Sequence, residues 1–124
     1  MIRRIRFIAH QDKKILLIDL SNCSAAEVET IFRAVPDVVT TQERGSVLIL
    51  CDYTGASFDL EAIRVMKETA VFDKPYVKKS AWTGKAKFPQ VVSENLVENL
   101  SIFSRREFPA FKTREEALVW LAKE

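Results

Sequence analysis

Apolar residues recur along the chain with two distinct periods, and each period predicts an element. Arg4 and Arg6 alternate with Ile5 and Phe7, the period-two pattern of a half-buried strand, so a first strand is expected near Arg4–Ala9, followed by a turn at His10–Lys13. Within Lys14–Leu20 the run Ile15-Leu16-Leu17-Ile18 is unbroken, which predicts a central strand buried on both faces. A second unbroken run, Val47–Cys51, follows the Gly45 break and leads straight into the polar elbow Asp52-Tyr53-Thr54-Gly55. A shorter strand is expected over Tyr76–Trp82, before Thr83-Gly84, and a last one near Glu107–Phe111.

Between these runs the period lengthens to that of a helix. Ser24-Ala25-Ala26-Glu27 has the form of a capping box, and Val28, Ile31, Phe32 and Val35 then fall on one face. Pro36 is expected to kink or interrupt that helix, because it lacks an amide hydrogen and crowds the preceding turn. A second helix is predicted over about Asp59–Phe72, with Leu60, Ile63, Met66 and Ala70 inward and Lys74-Pro75 ending it. A third is predicted over about Pro89–Phe103, with a stripe of Val92, Leu96, Leu100 and Phe103. Thr113-Arg114-Glu115-Glu116 reads as a second capping box, opening a terminal helix that carries Ala117, Leu118, Trp120 and Leu121. The order β-β-α-β-α-β-α-β-α predicts a single α/β domain. Its sheet is mixed, mostly parallel and of about five strands, with an N-terminal antiparallel edge hairpin and about four covering helices.

The 124 residues suffice for one modest core, and no repeat, low-complexity tract or linker suggests a boundary. The 19 basic and 17 acidic residues leave a formal net charge of +2, too little to attract nucleic acid through bulk electrostatics. Any basic site is therefore local. One stretch qualifies: from Lys74 to Lys87, Lys74, Lys78, Lys79, Lys85 and Lys87 alternate with Tyr76 and Trp82 and meet no acid, a pattern shared by anion-binding patches and solvated faces. Cys23 and Cys51 lack Cys-x-x-Cys spacing, which suits a reducing cytoplasm. No stretch approaches the roughly 20 apolar residues that span a bilayer.

Catalytic chemistry finds little to work with. His10 is the sole histidine, so multi-histidine metal sites are excluded by count, and Gly55 and Gly84 lack the spacing of a phosphate-cradling loop. Asp19, Asp52, Thr83 and Lys112 loosely resemble the constellation of a phosphoacceptor receiver domain. Paired acids after the first strand are missing, however, and the two aspartates are expected instead to accept backbone hydrogen bonds where strands end.

Several strings resemble the SpoIIAA-like branch of the STAS superfamily, named for anti-sigma factor antagonists: Lys14–Asp19, Val47–Gly55, Lys74–Ala81, and the stretch from Phe108 through Leu121. The resemblance implies a STAS-like fold and a non-catalytic regulatory or protein-interaction module, cytoplasmic and without a cofactor. It does not carry over the phosphorylation switch of anti-sigma factor antagonists. Where their Asp-Ser-Ser/Thr-Gly motif would align with Phe58-Asp59, the following residues are Leu60-Glu61-Ala62, with no hydroxyl.

If the elbow is a site, Asp52, Tyr53, Thr54 and Ser57 line it, and Lys78 and Lys79 supply charge for an anionic group. Replacing Asp52 by Ala then weakens binding with little unfolding. The alternative is a binder or sensor of a lipid or other small amphipathic ligand, as in CRAL-TRIO-type domains, housed near Tyr53, Phe58, Trp82 and the third helix. For that reading Arg105-Arg106 suits peripheral contact with an anionic membrane. Expected partners are therefore a protein or a small amphiphile, not nucleic acid, and homodimerisation stays open.

Overall fold

The computed structural model describes residues 4–84, 100–102 and 104–123. Its five-stranded sheet has the order β1-β2-β3-β4-β5. The strands are β1 (Ile5–His10), β2 (Lys13–Asp19), β3 (Val47–Asp52), β4 (Val77–Thr83) and β5 (Ala110–Phe111). The first two pair antiparallel and every later neighbour pairs parallel. Helices α1 (Ala25–Val39) and α2 (Leu60–Asp73) connect β2 to β3 and β3 to β4, and α3 (Arg114–Ala122) ends the chain. Because each crossover steps one strand further in the same direction, a constant right-handed connection places α1 and α2 on the same face. That face holds the larger core, where Val28, Phe32 and Val35 meet Ile18, Ile49, Met66 and Trp82. The opposite face holds a smaller one, in which Ala117 and Leu121 of α3 cover Ile15, Leu17, Leu50 and Ala81. β2 and β3 are therefore apolar on both sides, as their unbroken runs require.

The capping box at Ser24 forms: the Glu27 amide donates to Ser24 Oγ at 3.2 Å and the Ser24 amide donates to Glu27 Oε1 at 2.9 Å. At Thr113 only half of one does. Thr113 Oγ1 accepts from the Glu116 amide, but the Glu116 carboxylate accepts from the amide of Lys112, one residue before the cap.

Four further expectations are corrected. Leu60 is 75% exposed; it lies outside the inward face, which is set by Ala62, Ile63, Met66 and Ala70. Tyr76 lies in a 3₁₀ turn rather than in β4. β5 is two residues long, since Pro109 offers only its carbonyl to the Trp82 amide, at 2.9 Å. Of the kink or interruption expected at Pro36, the interruption does not occur, since α1 runs on to Val39. The proline leaves the carbonyl of Phe32 without its helical donor, and Thr69 Oγ1, buried on α2, donates to that oxygen at 3.3 Å. Thr69→Val, which keeps the shape and removes the donor, is expected to cost about 1 kcal/mol in a urea titration. The predicted helix Pro89–Phe103 lies mostly outside the described residues, of which 100–102 and 104 are helical.

Candidate functional site at the carboxyl end of the sheet

In an open parallel sheet the carboxyl ends of the strands are where ligands gather. Here register places Asp19 beside Asp52 and Asp52 beside Thr83 in one row across β2, β3 and β4. Each aspartate closes a tight turn. Asp19 Oδ1 accepts from the Ser21 amide at 3.0 Å and the Ser21 hydroxyl at 2.6 Å. Asp52 Oδ1 accepts from the Thr54 amide at 3.0 Å and the Thr54 hydroxyl at 2.7 Å. The expectation that both carboxylates receive backbone amides holds.

Sequence reasoning missed the cation that joins them. Arg114, the first residue of α3, donates from Nε to Asp52 Oδ2 at 2.6 Å and places Nη2 3.7 Å from Asp19 Oδ1. Arg4 also lies 3.7 Å from Asp19 Oδ1 and donates to the Ser21 carbonyl at 2.7 Å. Lys112, the cation of the receiver-like constellation, is exposed, and Arg114 takes the position beside the acids. One signal was available: a lone arginine ahead of Glu115 and Glu116 in a first turn opposes the helix dipole, so it needs a carboxylate elsewhere. Burial would raise the Asp19 carboxyl pKa, but the Ser21 hydrogen bonds, then Arg114 and Arg4, outweigh it and hold it below the usual range.

The other elbow residues divide. Thr54 is exposed with its hydroxyl committed to Asp52, and Ser57 is half-buried, its amide donating to the Cys23 carbonyl at 2.9 Å. Tyr53 and Trp82 turn to the larger core. Trp82 is 3% exposed and packs against Tyr53, Phe32 and Phe108 at 5.7, 6.5 and 5.8 Å between ring centroids. Burial raises the Tyr53 hydroxyl and Cys51 thiol pKa values, so neither is primed as a nucleophile. Gly84 seals the elbow: at φ +128° its α-carbon lies so close that a β-carbon would stand 2.5 Å from the Thr54 amide nitrogen. Lys78 and Lys79 are not brought here. They sit at the other end of β4, with Lys79 four residues, or about 13 Å, from Thr83.

The fold is similar to that of a solved structure. An uncharacterized protein from the DUF3478 family of Shewanella loihica PV-4, described as having a SpoIIAA-like fold, aligns over 95% of this chain and 92% of its own, with a TM-score of 0.63 and 16% identity. The chain has a SpoIIAA-like fold. No family model matches it, and no curated protein does. At that identity the likeness carries the fold alone. No helix of the described residues is long and apolar enough to cross a membrane, and among them no cluster of three metal-ligating side chains occurs.

Behind the elbow, this SpoIIAA-like fold holds a partly open cavity of about 30 Å³ lined by Trp82, Phe108 and Leu100 and, at its polar end, by Asp73, Ser80 and Arg106. Arg106 donates to the Ala70 carbonyl at 2.8 Å and Ser80 Oγ at 2.6 Å. Asp73 Oδ1 is buried with no hydrogen-bond donor among the described residues. The space suits a water, not an acyl chain. Burial pushes the Asp73 carboxyl up to about 6 against the opposing pull of Arg106, and pushes Arg106 down to about 10. The native carboxyl thus keeps its proton to a higher pH than the unfolded one, whose value is 3.8. Its contribution is fully present below pH 4 and lost as pH rises through about 6. Asp73→Asn is accordingly expected to be more stable than the native protein at pH 7, by on the order of 2 kcal/mol, with the gap closing near pH 4. Thermal melts at the two pH values check this.

Proposed function

We infer that the domain is a non-catalytic protein-interaction module that docks a partner on the outer face of α2. Its strand-end carboxylates are neutralised by Arg114 and Arg4 and its elbow hydroxyl is bonded to Asp52, so the usual site of chemistry in such sheets serves the fold. The observation that carries the reading is apolar exposure. Leu60 is 75%, Phe72 56% and Val71 49% exposed, at the two ends of one helix face. Between them Arg64 bonds Glu61 and Glu68, and Arg33 of α1 joins Glu61 at 3.6 Å. Beside Phe72 a groove of about 260 Å³ opens between α1 and α2, walled by Pro36, Val65 and Thr69 with Arg33 and Glu68 at its rim. An apolar anchor such as Phe72 beside a groove with charged residues at its rim matches the apolar-centre, polar-rim makeup of interfaces.

The carrier of a small amphiphile draws no comparable support, because the described inner cavity is water-sized. A cytoplasmic location belongs to the same proposal, in keeping with two free, buried thiols.

The test is affinity capture on immobilised native protein and on a Leu60→Glu/Phe72→Glu variant, whose changes are on exposed positions. A protein retained by the native surface and lost from the variant is the expected result; equal recovery on both overturns the reading.

A further inference from the structure

The cations at the far end of β4 form a site of their own. A groove of about 420 Å³ runs beside the first half of β4, lined by Lys74, Lys78, Lys79, Arg105 and Arg106 against one acid, Glu107. It shares no residue with the groove on α2, so it stands independently of the proposed interaction surface. β5 pairs only with Trp82 and Thr83, so among the described residues 77–81 have no strand on their outer side.

The five cations are not equivalent. Lys79 is held in place, donating to the Trp120 and Lys123 carbonyls at 3.0 and 2.8 Å with its ammonium 4.9 Å from the Trp120 ring centre. Arg106 is anchored to Ala70 and Ser80 and closes the inner end of the groove. Lys74, Lys78 and Arg105 are exposed. Arg105, moreover, has φ 57°, a left-handed conformation at a helix end that favours glycine. An arginine there strains the backbone and sets a third exposed cation at the groove mouth.

We propose that this groove binds a phosphate monoester, with Lys78 and Arg105 closing on the phosphate and Lys79 and Arg106 forming the fixed floor. A doubly charged, compact anion fits a wall of five cations better than a carboxylate does, because each charged donor it gains forms a stronger hydrogen bond. The volume leaves room for a polar group attached to the phosphate, resting against Trp120. The phosphate can be that of a soluble metabolite or of a lipid headgroup.

The experiment is an NMR titration of the full chain with glycerol 3-phosphate, a soluble phosphate monoester, at low salt, beside flotation with phosphatidylcholine vesicles containing phosphatidylinositol 4-phosphate. Saturable shifts centred on residues 78–80 and 105 are expected, weakened roughly tenfold or more in Lys78→Gln/Arg105→Gln. Flotation lost in the same variant assigns the phosphate to a lipid; binding of glycerol 3-phosphate without flotation assigns it to a soluble ligand. Arg105→Gly supplies a second reading. It relieves the strained backbone, so Tm should rise by about 3 °C while binding weakens. No saturable binding of either probe, or unchanged affinity in both variants, overturns the proposal.

Discussion

Trp82→Ala is expected to destabilise the domain by about 3–5 kcal/mol, the range for deleting a large buried aromatic. The indole is 3% exposed and joins three elements: Phe32 from α1, Tyr53 from the elbow, and Phe108 ahead of β5. It also borders the inner cavity, so its removal would enlarge a void already present instead of letting the core collapse. Against a typical stability of about 5–15 kcal/mol, the loss should lower Tm by roughly 10–20 °C. Trp82→Phe, which keeps most of the ring packing, should lose less than half as much. A thermal melt followed by circular dichroism checks both, and an alanine variant within a few degrees of the native protein would mean that the ring is not core.

Asp52→Ala comes next, at about 2–4 kcal/mol. The substitution deprives the Thr54 amide and hydroxyl of their acceptor and leaves Arg114 facing Asp19 alone at 3.7 Å. Asp52 is 6% exposed, so the attraction it loses is only partly screened by water. Asp52→Asn retains the shape and an oxygen for Thr54 but turns amide hydrogens toward the guanidinium, and should cost about half as much. Urea unfolding of Asp52→Ala, Arg114→Ala and the double variant separates the pair from its surroundings. Losses smaller in the double variant than the sum of the singles, by about 1–3 kcal/mol, are expected; strict additivity would show that the two side chains do not interact. The elbow's sequence suggested the opposite balance, binding lost with folding intact, because Arg114 is 62 positions away and invisible from there.

What could be read from the chain was whatever depends on neighbours. The unbroken runs in β2 and β3 announced burial on both faces, and Ser24 with Glu27 fixed the start of α1. The elbow was found because a strand, a polar turn and a helix opening around Asp59 follow one another. What stayed hidden depends on residues distant in sequence. Pro36 reads as a breaker until Thr69, on another helix, supplies the missing donor to Phe32. Leu60 reads as core from its spacing, but its position at the first turn of α2 leaves it beyond the sheet's cover. Lys78 and Lys79 looked like companions of the elbow because they offer charge for an anionic group there. Strand direction sends them to the other end of β4, beside Arg105 and Trp120.

The central claim, that partners dock on α2 while the carboxylates at the sheet's end hold the fold, is tested most directly by hydrogen exchange of the domain with a captured partner bound and free. Docking on α2 predicts slowed exchange across residues 60–72 and 29–36, with 52–57 unchanged. Protection confined to 52–57, leaving both helices as they are in the free domain, would contradict it.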